Sequence, residues 1–264
     1  MAVQIAPGFS LTNRWLLYTS YFLAPAQFVS GLNSNCLSNF GFLIFNWYTQ
    51  IQWYQLMSSK EEIHAISLIL PHFNLLYAVS YLGGVTSGDI LLGVPLGLGT
   101  AGVMILNTVA AWKAWAVHQS PGYGVDQFFF FGWRTLTKGW HHGLFLPWQI
   151  FDTILALVCV ISACVLGFFA PLNFRDKELE RVEWWDKYPA IPVGAVSMLI
   201  GGWPLILWTE LIVSRNHLES ETDMTAVWLF VAQVAALLIP SCGATLSCCR
   251  GMLGLCKSSS SSDV

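Results

Sequence analysis

The chain has 264 residues, of which 55% are hydrophobic and only 10% charged, with a mean hydropathy of +0.57. Its net charge of −3 leaves no electrostatic footprint for nucleic acid. The charges sit in short stretches between long apolar runs, which excludes an ordinary water-soluble domain: a bilayer core offers backbone groups no water, so such runs fold as membrane helices.

Met1 to Asn13 lacks a positive region ahead of a cleavable apolar core, so the first hydrophobic segment is expected to act as an uncleaved signal anchor. Seven apolar segments follow in chain order: Trp15–Leu32, Phe40–Met57, His64–Leu82, Ile90–Trp112, Leu144–Ala170, Ala190–Val213 and Met224–Ser247. A helix needs about 20 apolar residues to cross a ~30 Å hydrocarbon core. The first segment is a little short. The second mixes polar and aromatic residues from Phe45 to Gln55, as an interfacial segment does. The expected fold class is all-α, a polytopic transmembrane helix bundle of about seven membrane helices, with six to eight allowed. Residues 1–14 form a short N-terminal segment, 15–247 a single membrane domain and 248–264 a disordered tail rich in Cys and Ser.

Between the fourth and fifth segments, Phe128–Trp148 opens on four phenylalanines and is then interrupted by Arg134, Lys138, His141 and His142. It reads as an interfacial or re-entrant helix leading into the fifth segment. The polar stretch Asn173–Pro189, with mixed charges, reads as a solvated loop or short amphipathic helix. With seven spans the basic residues divide evenly between the two sides, so charge asymmetry does not orient the chain. The tail pairs Arg250 and Lys257 with Cys248, Cys249 and Cys256, a setting that suits S-palmitoylation and places that side in the cytoplasm. Ordinary helix-end cysteines are the plain alternative. Cys159, Cys164 and Cys242 read as small core residues. No Asn-x-Ser/Thr sequon occurs. The expected location is an integral, multi-pass protein of the endoplasmic reticulum or another endomembrane.

An ionisable or polar residue at membrane depth is expensive, and few occur here. His72 and Asn74 lie in the middle of the third segment beside Pro71, where a freed backbone carbonyl invites a side-chain partner. His72 is either a histidine bonded across helices or a ligand contact facing a cavity. Asp152 has two readings. If its helix starts near Pro147 it is buried, and burial favours the neutral, proton-donating form; if the helix starts at Asp152, it is an N-cap at the membrane surface. Glu210, one turn from the end of the sixth segment, is a buried acid or an interface marker. Among thirteen Trp residues, most fit interfacial belts, and Trp148, Trp203 and Trp208 are candidates for lining a pocket whose π-faces stabilise a cation. Gly93 and Gly97 form a small-xxx-small pair. His141 and His142 point to different helix faces, and no Cys/His spacing suits zinc, so no metal site is expected.

In size, helix count, aromatic richness and near absence of soluble domains, residues Trp15–Ser247 resemble the small integral-membrane terpene cyclases of fungal meroterpenoid pathways. The resemblance is one of organisation. It implies two acids that protonate an epoxide or alkene; in this chain these would be Asp152 and Glu210, with His72, Trp148, Trp203 and Trp208 around a lipophilic substrate. The chemistry needs no cofactor, and the partners are the substrate and the lipid bilayer. A small transporter, channel subunit or scaffold for lipophilic solutes is the alternative, since kinked Gly/Pro helices with scarce deep charges also suit a carrier.

Overall fold

The computed structural model describes residues 3–4, 9–32, 36–58, 64–80, 90–116, 122–173 and 190–238. The Asn173–Pro189 loop beyond its first residue, Trp184, Trp185, Cys242 and the tail with Cys248, Cys249 and Cys256 lie outside them.

The protein is mostly helical. Its principal helices are α1 (Leu11–Leu32), α2 (Cys36–Ser58), α3 (Ile69–Ser80, entered through a 3-10 turn at Ala65–Leu68), α4 (Ile90–Ala116), α5 (Leu146–Asn173), α6 (Ala190–Asn216) and α7 (Met224–Leu238). Among the described residues, three continuous stretches are long and apolar enough to cross a membrane: Gly93–Trp115, Lys138–Phe169 and Pro192–Asn216. On α5, Ile150, Phe151, Ile154, Leu157, Val158 and Ile161 all face outward and exposed. A continuous apolar face of that kind is unfavourable in water and natural against lipid.

The second segment forms one 23-residue helix, α2, and its polar residues account for the mixed composition. Asn39, Asn46 and Gln50, spaced at helical intervals, are all at most 2% exposed, so this stripe faces the interior of the bundle.

Small residues set the closest packing. A Cβ placed on Gly97 would lie 2.7 Å from the Ala163 carbonyl oxygen, and one on Gly167 2.7 Å from that of Gly93. The α4 and α5 backbones therefore touch, and this is the most extensive helix pair in the fold.

The stretch expected to be an interfacial helix is different in its first half. Residues Gln127–Phe129 (β2) and Trp133–Thr135 (β3) form an antiparallel hairpin, with Phe128 opposite Arg134. Phe131 (φ 48°) and Gly132 (φ 133°) turn the chain in left-handed conformations that a helix cannot contain. Phe128 points inward at 1% exposure and Phe129 outward at 40%, the alternation of a strand. The second half is helical as expected: Lys138–Trp140, capped by the Thr137 side chain, runs through a π-helical turn at His141–Phe145 straight into α5. At the other end of the chain, Val3–Gln4 (β1) pairs in parallel with Leu218–Glu219 (β4). Cys159 is buried as expected, whereas Cys164 lies exposed on the outer face of α5.

Candidate functional site

Two groups of polar side chains stand out inside the bundle. The first joins α3 to α5. Because the helix is continuous from Lys138, Asp152 sits well inside it and not at its start, and the surface N-cap reading falls. Asp152 is 8% exposed and His72 4%. The His72 Nδ1 and Asp152 Oδ2 atoms lie 2.5 Å apart, within hydrogen-bond distance. The imidazole stacks on Trp148 at 4.6 Å between ring centroids. Trp148 in turn contacts Trp208 at 5.5 Å, and Phe145 joins the same aromatic group. Four of the six candidate residues, His72, Trp148, Asp152 and Trp208, are thus brought together. The space lined by Leu75, Asn107, Thr108, Ala111, Gln149 and Asp152 has no room for a water molecule. The expectation that Asp152 hands a proton directly to a substrate meets this packing and the occupation of its carboxylate by His72.

The other two candidates stand apart. Trp203 is 53% exposed on the outside of α6, where a lipid-facing tryptophan belongs. Glu210 is engaged by two side chains of α1. Its two carboxylate oxygens accept hydrogen bonds from Arg14 Nε (2.7 Å) and Nη2 (3.1 Å), and the Tyr18 hydroxyl donates a third at 2.6 Å. The guanidinium–carboxylate contact is forked, with two N–H···O bonds. The pair clamps α1 to α6, and Arg14 also donates to the Phe9 carbonyl.

The second group lines a cavity of about 440 Å³ bounded by α1, α2, α3 and the start of α7. Its walls are Phe9, Leu16, Leu17, Phe45, Trp53, Leu56 and Ala226. Its polar residues are Asn13, Tyr48, Thr49, Gln52, Gln55, Asn74, Glu221, Thr222 and Asp223. Among the described residues it holds two carboxylates and no basic side chain. Asp223 is the N-cap of α7: its Oδ1 accepts from the Thr225 and Ala226 backbone amides. The Tyr48 hydroxyl donates to the same carboxylate at 2.8 and 3.1 Å, and Asn13 brackets the Asp223 backbone on both sides. Two amides at a helix N-terminus and a phenol hydroxyl thus converge on this one carboxylate. Glu221 is exposed at the rim.

Sequence reasoning missed Asp223 by starting the last segment at Met224, one residue after it. The signal was present: Thr222-Asp223 directly before an apolar run is an N-cap pattern. Tyr48 had no such signal, because its role depends on a partner 175 residues away.

A third cluster lies at the same end of the bundle as the hairpin. His64 Nε2 meets Asp126 Oδ2 at 2.9 Å. Burial pushes the His64 imidazole below its ordinary value and the Asp126 carboxyl above its own, each partly opposed by the other's charge. The buried His141 stacks on the half-buried Trp115 and pairs through Nδ1 with the Tyr123 hydroxyl. Among the described residues no group of three or more His, Cys, Asp or Glu is placed to hold a metal ion.

No protein-family model matches this chain, and no curated protein or solved structure matches it either.

Proposed function

We propose that this is a multi-pass protein of an endomembrane, with about seven spans, that cyclises a prenylated or epoxidised lipophilic precursor in the cavity between α1, α2, α3 and α7. The observation that carries the reading is the chemistry of that cavity: aromatic and aliphatic walls with two carboxylates and, among the described residues, no cation. Such a lining accepts an apolar chain and stabilises positive charge developing on it, through the π-faces of Trp53, Phe45 and Tyr48 and the negative charge of Asp223.

The sequence resemblance put the acids at Asp152 and Glu210. The contacts favour other roles for both, because one is sealed against His72 and the other is ion-paired to Arg14. In the reaction proposed, Glu221 at the rim exchanges protons with water and delivers one to the epoxide oxygen or terminal alkene carbon. The chain closes on the resulting cation, and the carboxylate of Asp223 accepts the proton that leaves. One proton enters and one departs, so the product is an isomer of the substrate and no redox partner is consumed. Palmitoylation of Cys248, Cys249 and Cys256 remains a proposal for the tail.

The test is product analysis of microsomes expressing the chain and fed prenylated phenols and their terminal epoxides. A cyclised product of unchanged mass is expected, lost in Asp223→Asn. Asparagine caps a helix about as well as aspartate, so the fold should survive that change. Absence of any product from folded, membrane-inserted protein overturns the enzyme reading. The same cavity then favours a carrier of neutral or cationic lipophilic solutes, read out as flux in proteoliposomes.

A further inference from the structure

The β2–β3 hairpin has two unlike faces. Its inner face is fixed. Phe128 packs against Trp140 and Phe145 at 5.7 Å each. Asn216 at the end of α6 donates to the Gln127 carbonyl and accepts from its amide, both at 2.8 Å. The Trp208 indole donates to the Phe129 carbonyl at 2.6 Å. The outer face carries Phe131 at 91% exposure, Val125 at 79%, Phe129 at 40% and Trp133 at 39%.

A water-facing loop held this rigidly gains nothing from presenting four large apolar side chains. Three cations border the hairpin, Arg134 on the face of its cross-strand neighbour Phe128 and not on that of Phe129 and Trp133. Arg134 and Lys138 are exposed, and the Arg215 guanidinium lies 5.3 Å over the Trp133 ring while its Nε donates to Gln127 Oε1 at 2.9 Å. The one acid between residues 122 and 138, Asp126, is 3% exposed and engaged by His64, so it does not neutralise them. The position matters as much as the composition. The hairpin sits where two membrane-length stretches end together, Lys138–Phe169 at its start and Pro192–Asn216 at its finish. That is the level of the lipid headgroups.

We propose that the hairpin is a binding site for an anionic phospholipid headgroup. Phe131 and its neighbours dip among the acyl chains, and Arg134, Lys138 and Arg215 hold the phosphate. The inference rests on the membrane assignment made above and not on the cyclase chemistry.

The experiment uses the full chain in nanodiscs containing phosphatidylcholine with a small fraction of photoreactive phosphatidylglycerol, followed by mapping of the crosslinked peptides. The expected result is labelling on the segment from Gln127 to Lys138, competed by unlabelled phosphatidylglycerol and not by inorganic phosphate. In Arg134→Gln/Lys138→Gln, whose altered side chains are both exposed, labelling should fall on the order of twentyfold, about fivefold for each cation removed near an anionic surface. Equal labelling by a phosphatidylcholine probe, or labelling unchanged in the double variant, overturns the headgroup site. Carbonate washing of the source membranes separates the two claims. A chain that washes off refutes the membrane assignment and this site with it; a chain that stays but gives no hairpin crosslinks refutes the site alone.

Discussion

Asp152→Leu tests the buried pair that joins α3 to α5. Both partners are removed from solvent, the contact is 2.5 Å, and the neighbouring space admits no water to replace a lost partner. Deleting the carboxylate therefore leaves the His72 Nδ1 without a partner in an apolar setting. A buried polar group so orphaned costs about 1–3 kcal/mol, and one member of a buried charged pair 3–5 kcal/mol. The expected loss is about 3 kcal/mol. Asp152→Asn preserves shape and an acceptor oxygen, and should cost about 1 kcal/mol. The informative variant is His72→Phe combined with Asp152→Leu. A phenyl ring retains the stacking on Trp148 while no polar group is left unpaired, so the double variant should recover roughly 2 kcal/mol of the sum of the single losses. Equilibrium unfolding of the purified protein in mixed micelles, titrated with dodecyl sulfate, supplies all four corners of the cycle. Additive single effects, or an Asp152→Leu loss below about 0.5 kcal/mol, would refute the claim that the pair is a coupled, sealed unit.

Gly97→Ala places a methyl carbon 2.7 Å from the Ala163 carbonyl oxygen, where backbone on both sides cannot yield. Overpacking of about 1–3 kcal/mol should outweigh the ~1 kcal/mol that alanine gains in helix propensity, and the same micelle titration should show net destabilisation. Glu210→Gln leaves the Arg14 guanidinium, 5% exposed, without its counter-charge. A loss of about 2 kcal/mol is expected, with Asp restoring less than half because its shorter arm cannot keep both contacts. His64 has its folded pKa lowered by burial, so the unfolded chain binds the proton more readily. Its contribution is full above its ordinary 6.5 and is lost as pH falls below that value. Asp126, shifted upward, acts in the opposite sense, losing stability as pH rises from its ordinary 3.8 toward its folded value. Wild type should therefore lose stability relative to His64→Gln between pH 7 and 5.5, and parallel curves over that range would contradict the burial argument.

How much of this was legible in the sequence depended on the range of the interaction. The apolar runs marked the helices to within a few residues at most ends, because hydrophobic length is a local property: Trp15–Leu32 became Leu11–Leu32, and Ala190–Val213 became Ala190–Asn216. The four phenylalanines before Gly132 misled, since an aromatic run satisfies a helix and a strand alike and only the left-handed turn separates them. Asp152 and His72 could each be singled out as costly at depth, yet nothing along the chain says that they are each other's partner across 80 residues. Arg14 was invisible as the partner of Glu210 for the same reason. Asp223 was readable as a cap, but its place on a cavity wall is set by four helices meeting.

The beginning of the chain is bound directly to the segment that leads into α7. Val3 and Gln4 pair with Leu218 and Glu219, the Phe9 amide donates to Ser220, the Thr222 hydroxyl to Ser10, and Asn13 grips the Asp223 backbone. These contacts span 210–212 residues where the hydrogen bonds are side-chain mediated. At a synthesis rate of about 5–20 residues per second, α1 emerges roughly 10–40 s before the residues that complete its end of the bundle. During that interval the buried Arg14 has no Glu210, and the cavity wall formed by Glu221, Thr222, Asp223 and Ala226 does not exist. A ribosome stalled ahead of residue 218 would therefore release a chain able to form most of its helices but without the cavity. The newborn chain has to be kept with its first helix unclosed until almost the last described helix has been made.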